Sequence, residues 1–307
     1  MRKLTLAGLV AVAMTLAFAA HGAPSVKSQD KYANNSGVKI HYVVEGKGPL
    51  VVLVHGFPDY WATWKPLMAT LSAAGYRVAA MDTRGYNLSD KPQGVAAYAM
   101  PNLIGDIDAV IKAEGQTSTI LIGHDWGAAI SWQTVLTRPD LVNKLVIMAV
   151  PHPAGMAREL ATNKDQQSNS QYARDFQKEG SEKNLTAERL ASMANKDPAE
   201  KAGYVEAFKR SDFAAMMNYY RANYPKITPG EPPPPAQTYP SIKVPVLVIH
   251  GMKDTALNAA GHAGTWNYVA ADSTILMIPS AGHFVQHDAQ DLVDRTIKDW
   301  LNARRKN

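Results

Sequence analysis

The stretch "STILIGHDWGA" (residues 118–128) is the clearest indication of the fold. Its first half is a short apolar run typical of a buried strand, and an amphipathic helical pattern begins at Trp126. Between the two, Gly123 and Gly127 flank Asp125, so the backbone can turn tightly there. Such a turn lifts its central side chain clear at the top of a sheet. A plainer interpretation makes Asp125 only the N-cap of the helix.

Further apolar runs rich in β-branched residues predict more strands. They are residues 49–56, 76–82, 144–150, 244–251 and 273–279, and residues 38–46 alternate apolar and polar side chains as a half-exposed strand does. Most are separated by amphipathic stretches, such as residues 100–115. Strands that alternate with helices predict an α/β fold with a mainly parallel sheet and helices on both faces.

This alternation stops between residues 151 and 240. Helices are predicted at residues 199–211 and 213–224, and the segment ends in the proline-rich "TPGEPPPPAQTYP". An insertion that leaves the carboxyl end of a strand lies where open α/β sheets bind ligands, which favours a helical lid over a surface elaboration without a role. The expected domains are a core formed by residues 23–150 and 241–307, and a lid formed by residues 151–240.

The amino terminus has the three-part form of a secretory signal. Basic residues at Arg2 and Lys3 precede an apolar run, and small residues follow it up to Gly22. We expect residues 1–22 to be removed and the protein to be periplasmic or secreted. An uncleaved anchor is the alternative, although the run is short for a bilayer. No later stretch is apolar enough to span a membrane, so no stable membrane association is expected after cleavage.

Composition excludes several functional classes. The formal charge of +5 without a basic stripe argues against nucleic acid as a partner. The absence of cysteine excludes disulfides and cysteine chemistry. His283 and His287 lie four residues apart but lack a surrounding metal motif, so no metal is predicted. Gly46-Lys47-Gly48 lacks the spacing of a phosphate loop, and no organic cofactor is expected.

Two further residues give Asp125 a chemical context. Asp254 and His283 each follow a predicted strand, so the chain order is Asp125, acid, histidine. That order on loops at the carboxyl ends of strands is expected for a hydrolase triad. The backbone N–H groups of Phe57 and Trp126 are then placed to form an oxyanion hole.

Five motifs in this order resemble those of α/β-hydrolase-fold epoxide hydrolases. They are "HGFP" (55–58), "DTRGYNLSDKP" (82–92), "GHDWG" (123–127), "GMKD" (251–254) and "GHFVQ" (282–286). The resemblance covers almost the whole mature chain and implies an α/β-hydrolase fold with a lid. It also implies Asp125 as nucleophile, Asp254 as the acid that orients the base, and His283 as that base.

Members of that family use two lid tyrosines as proton donors. "NYYRAN" (218–223) matches one of their motifs and implies Tyr220. "SQYARDFQ" (170–177) suggests Tyr172 as the other, with Tyr204 and Tyr219 as competitors. The expected substrate is a small-molecule epoxide.

The side chains expected to contact this substrate are His55, Pro58, Trp126 and Tyr219.

Two alternatives remain beside the epoxide hydrolase. A haloalkane or haloacid dehalogenase on the same fold would also attack carbon with Asp125. Haloalkane dehalogenases often have asparagine at the position of Phe57, and fluoroacetate dehalogenases typically have arginine at that of Trp126. A non-catalytic, hydrolase-like binding protein is the second alternative.

Overall fold

A central β-sheet organises the computed structural model, which describes residues 28–195, 197–225 and 237–305. The predicted signal segment, residues 1–22, lies outside the described residues. The strands are β1 (Gln29–Asn35), β2 (Val38–Gly46), β3 (Leu50–Val54), β4 (Arg77–Met81), β5 (Thr119–His124), β6 (Val142–Met148), β7 (Val246–Gly251) and β8 (Ser273–Ile278).

The sheet is mainly parallel, as predicted. Its strand order is β1-β2-β4-β3-β5-β6-β7-β8, and of these pairings only β1–β2 and β2–β4 are antiparallel. Every residue of β3, β5 and β7 is buried, because helices cover both faces. The carboxyl ends of the parallel strands therefore lie along one edge.

The helices are α1 (Lys65–Ala73), α2 (Met100–Ala113), α3 (Trp126–Thr137), α4 (Pro153–Thr162), α5 (Lys164–Asn169), α6 (Gln171–Phe176), α7 (Ala187–Ala194), α8 (Lys201–Lys209), α9 (Phe213–Asn223), α10 (Val285–Asp288) and α11 (Gln290–Asn302). Six of them, α4 to α9, lie between β6 and β7 in the chain. None of the helices in the described ranges is long and apolar enough to cross a membrane.

The two faces of the sheet have separate apolar cores. Val52 and Val54 of β3 pack in the core that includes α2 and α3, whereas Val51 and Leu53 pack in the core that includes α1 and α11. This alternation follows from the strand geometry, because successive side chains point to opposite faces. The prediction of helices on both sides is confirmed.

Several predicted boundaries were wrong, and one strand was missed. The strand predicted at residues 49–56 ends at Val54, which leaves residues 55–58 as the loop at its carboxyl end. The helix predicted at 199–211 spans only Lys201–Lys209. β1 was not predicted, because its sequence "QDKYANN" is polar and only Ala33 in it is buried.

Candidate active site

Asp125 lies on the sharp turn between β5 and α3. Its φ of 51° and ψ of −123° are strained for a residue with a side chain. A Cβ added to Gly127 would lie 2.0 Å from the carbonyl oxygen of Val54, so only glycine lets the turn approach β3. The Asp125 side chain makes no capping hydrogen bond to α3, so the plain N-cap interpretation is wrong.

The structure brings Asp125, His283 and Asp254 together from three loops. Nε2 of His283 lies 3.3 Å from Oδ2 of Asp125, and Nδ1 donates to Oδ2 of Asp254 at 2.8 Å. The other oxygen of Asp254 accepts from the backbone N–H groups of Ala256 and Leu257. Asp254 is thereby fixed, and it orients the ring of His283 toward Asp125.

Charge at this site favours ionised carboxylates and a protonated imidazole. Burial alone would lower the pKa of His283, but the charge of Asp254 and hydrogen bonds to Asp125 and Asp254 raise it to about 10. Burial would raise the pKa of Asp125, yet the hydrogen bond and charge of His283 lower it below its usual value. Asp125 is therefore an ionised carboxylate at neutral pH.

The two oxygens of Asp125 have different partners. Oδ1 accepts a hydrogen bond of 2.7 Å from the backbone N–H of Phe57, whereas Oδ2 faces His283. Trp126 begins α3, so its N–H is one of the unpaired donors at a helix N-terminus. A negative charge that develops on Oδ1 has a hydrogen-bond donor in place.

Tyr172 on α6 and Tyr220 on α9 line the same cavity as Asp125. Their ring centroids lie 6.2 Å apart, with the rings nearly perpendicular. Burial and the nearby charge of Asp125 raise the pKa of Tyr172, and burial, Tyr172 and Asp125 raise that of Tyr220. Both phenols therefore keep their protons at neutral pH.

The cavity has a volume of about 680 Å³ and a largely apolar wall. Residues from α3, α4 and the loop after β7 contribute Trp126, Ala129, Trp132, Met156, Ala161 and Leu257. Ala129 and Gln133 also line the cavity and were not predicted, although both repeat at helical spacing after Trp126 and could have been found from it. The space suits an apolar small molecule that reaches Asp125.

Three of the four predicted substrate contacts lie outside the cavity lining, and Trp126 alone lies in it. Nε2 of His55 accepts from the N–H of Thr83, and Nδ1 donates to the carbonyl of Gly56. Pro58 is buried in the loop after β3.

Tyr219 is not among the residues that line the cavity, and its hydroxyl donates to the carbonyl of Arg84 at 2.8 Å. Hydrogen bonds within the protein therefore occupy His55 and Tyr219, and the structure does not bring either side chain to the cavity lining. The other competitor, Tyr204, packs edge-on against Tyr60 and lies near His287 instead of Asp125.

Comparison with known proteins is consistent with this architecture. Residues 49–290 match the model of the α/β hydrolase fold family. The AB hydrolase superfamily protein YfhM of Bacillus subtilis is 33% identical over 88% of this chain and 97% of its own length. Epoxide hydrolase 3 of Xenopus tropicalis is 31% identical over 87% of this chain and 76% of its own.

A solved structure gives the same result in three dimensions. The crystal structure of Bacillus megaterium epoxide hydrolase in complex with an inhibitor superposes with a TM-score of 0.82 at 30% identity, covering 89% of this chain and 100% of that one. The chain therefore belongs to the epoxide hydrolase family of α/β-hydrolase-fold proteins.

Proposed function

We propose that this protein hydrolyses an aryl or alkyl epoxide to a vicinal diol through an ester of Asp125. One observation carries the proposal: an ionised carboxylate and two protonated tyrosines, Tyr172 and Tyr220, line one apolar cavity. The named relatives support it. A Bacillus megaterium epoxide hydrolase mutant, 30% identical to this chain, was crystallised with its product (R)-3-[1]naphthyloxy-propane-1,2-diol.

In the first step, an oxygen of Asp125 attacks a ring carbon of the epoxide. The carbon–oxygen bond of the ring breaks, and the leaving oxygen stays attached to the substrate as an alkoxide. Tyr172 and Tyr220 supply the hydrogen bonds and the proton that this alkoxide needs. Their pKa values remain above the ordinary value of about 10, so the proton leaves only when a much stronger base forms.

In the second step, water attacks the carboxyl carbon of the Asp125 ester. The imidazolium of His283 first returns a proton to the tyrosinate that the first step leaves, and the neutral ring then takes a proton from that water. The N–H of Phe57 stabilises the oxyanion that forms on the former carboxylate. When this tetrahedral intermediate collapses, the ester C–O bond breaks, His283 protonates the departing diol oxygen, and the carboxyl proton of Asp125 passes back to His283. Ester formation removes the negative charge of Asp125, which is one of the causes of the raised pKa of His283. The first step therefore makes His283 a better base for the second.

This two-step route explains why the turn carries aspartate. A serine alkoxide would open the ring to a stable ether, whereas a carboxylate gives an ester that water can cleave. The dehalogenase alternative finds less support at Phe57. Its side chain packs against the rings of Phe176 and Tyr220 and has no donor for a halide.

We also propose that residues 151–240 act as a lid and that residues 1–22 direct export before they are removed. The lid proposal is supported by α4, α6 and α9, which contribute residues to the same cavity that Asp125 lines. An intact-mass measurement of the exported protein tests removal, and a retained Met1 would contradict it.

The experiment that tests the function is trapping of the ester. A His283→Gln variant incubated with a panel of aryl and alkyl epoxides should gain the mass of the substrate on the peptide that contains Asp125. Wild-type protein should release the diol under the same conditions. Halide release from haloalkanes without any epoxide turnover would support the dehalogenase instead, and no adduct with any epoxide would support the binding protein.

A further inference from the structure

The motif "GHFVQ" (282–286) contains a residue that the proposed reaction does not use. Gln286 on α10 is buried, and its amide nitrogen lies 3.3 Å from Nδ1 of His124. His124 directly precedes Asp125, and the centroid of its ring lies 4.9 Å from that of His283. Gln286 thus reaches the triad through a second buried histidine.

Hydrogen bonding fixes which nitrogen of His124 carries a proton. Nε2 lies 2.9 Å from the main-chain carbonyl oxygen of His283. A carbonyl oxygen only accepts, so Nε2 of His124 is the protonated nitrogen. Burial lowers the pKa of His124 to about 3, so the ring is neutral and its Nδ1 is an acceptor.

The Gln286 amide is oriented to match that acceptor. Only its nitrogen can donate to Nδ1 of His124, and the same nitrogen lies 3.4 Å from Oγ1 of Thr63. Its oxygen is buried without a hydrogen-bond partner among the described residues. An unpaired buried oxygen costs free energy, so the hydrogen bond that the amide nitrogen donates to His124 explains this orientation.

The carbonyl of His283 depends on His124. Within the part of the chain that the structure describes, no backbone N–H donates to this carbonyl oxygen. His283 lies in the loop between β8 and α10, and its ring must face Asp254 at 2.8 Å and Asp125 at 3.3 Å at the same time. A shift of its main chain would change both distances.

We propose that Gln286 is a positioning residue for ester hydrolysis. It fixes the Nε2–H tautomer of His124, and His124 in turn holds the main chain of His283. The inference rests on the proposed function, because it assigns Gln286 to the second step of that reaction.

Two substitutions of similar size separate this role from simple packing. In Gln286→Glu, the carboxylate accepts but does not donate at neutral pH, so it favours a proton on Nδ1 of His124. Either Nε2 loses its proton and faces a carbonyl as a second acceptor, or the ring becomes cationic beside His283. Gln286→Met removes the donor but demands no proton on Nδ1. The polar substitution should therefore be the more harmful one.

Single-turnover kinetics with styrene oxide provide the test, with ester formation and decay followed by intact mass. Gln286→Glu should slow ester decay by at least about 10-fold, and Gln286→Met by less than about 5-fold. Ester formation should change by less than about 3-fold in both variants. The ¹⁵N NMR signals of His124 should show the Nε2–H tautomer in wild type and a protonated Nδ1 in Gln286→Glu.

Thr63→Val is the matched control, because it removes the other contact of the Gln286 amide and leaves the one to His124. Its ester should decay at the wild-type rate. Wild-type decay in Gln286→Glu, or an Nδ1–H tautomer of His124 in the wild-type protein, would overturn the inference while leaving the proposed function intact. An absence of ester in wild type and His283→Gln with every epoxide tested would overturn both.

Discussion

Asp125 has a strained backbone, and its two carboxylate oxygens have different partners. Its positive φ is maintained because the flanking glycines let β3 and α3 approach, and Oδ1 is anchored by the N–H of Phe57. The anchored oxygen sits where the oxyanion of hydrolysis would form. His283 lies between the carboxylates of Asp125 and Asp254, so we expect the free energy of unfolding to depend on pH.

The raised pKa of His283 predicts how stability changes with pH. Its value of about 10 in the folded protein lies above the ordinary value of about 6.5, so its contribution is complete below pH 6.5 and is lost as pH rises toward 10. The free energy of unfolding, measured by urea titration between pH 6.5 and 10, should fall more steeply for wild type than for His283→Gln. Over this pH range wild type should lose a few kcal/mol more of its unfolding free energy than His283→Gln does, on the order that linkage gives. If the unfolding free energies of the two proteins fell in parallel with pH, the positive charge assigned to His283 in the folded protein would be contradicted.

At the scale of elements, the site depends on how closely α3 packs against β3. A Cβ on Gly127 would overlap the carbonyl of Val54, and one on Gly56 would lie 2.4 Å from Cβ of Asp125. These are contacts with the backbone of Val54 or with Cβ of Asp125, so side-chain rotation does not relieve them. The turn at Asp125 and helix α3 therefore shift only together.

Gly127→Ala should destabilise the protein by about 1–3 kcal/mol, as overpacking does, and should also slow ester formation. Gly203→Ala on α8 is the control. An added Cβ there meets only the hydroxyl of Tyr60 at 3.3 Å, and alanine favours helix by up to about 1 kcal/mol. Thermal unfolding measures both effects. A Gly127→Ala protein as stable and active as wild type would rule out the tight packing.

The elements were largely predictable from sequence, because buried parallel strands are continuous apolar runs and their ends carry Asp125, Asp254 and His283. β1 was not, since an edge strand with one buried residue has no apolar pattern. Side-chain direction was also not predictable. Tyr219 and Tyr220 are neighbours, yet one bonds to Arg84 and the other lines the cavity, a difference set by the facing elements.

At the scale of the whole molecule, the core and the inserted helices supply different parts of the proposed chemistry. The core contributes the nucleophile, the base and the oxyanion donor, and α6 and α9 contribute the two phenols. The proposed reaction thus needs the core and the inserted helices at a fixed relative position across the cavity. Because the chain has no cysteine, apolar contacts and hydrogen bonds between them must maintain that position.

Removal of the phenol hydroxyls should slow ester formation without preventing it. Tyr220→Phe and Tyr172→Phe should each lower its rate by about 10- to 100-fold, and the double variant by more, because each phenol partly replaces the other. Tyr219→Phe is the control on the same helix, and it should cost about 1 kcal/mol of stability with no change in ester formation. Stopped-flow measurement of ester formation would decide. An unchanged rate of ester formation in the double variant would show that the phenols of Tyr172 and Tyr220 take no part in ring opening.

In the proposed mechanism, water attacks the carboxyl carbon of Asp125 and not the epoxide. A single turnover in ¹⁸O-labelled water, followed by mass spectrometry of the peptide that contains Asp125 and of the diol, distinguishes these two routes. The mechanism predicts the label in the Asp125 carboxylate and an unlabelled diol from that first turnover. A labelled diol beside an unlabelled peptide would contradict it.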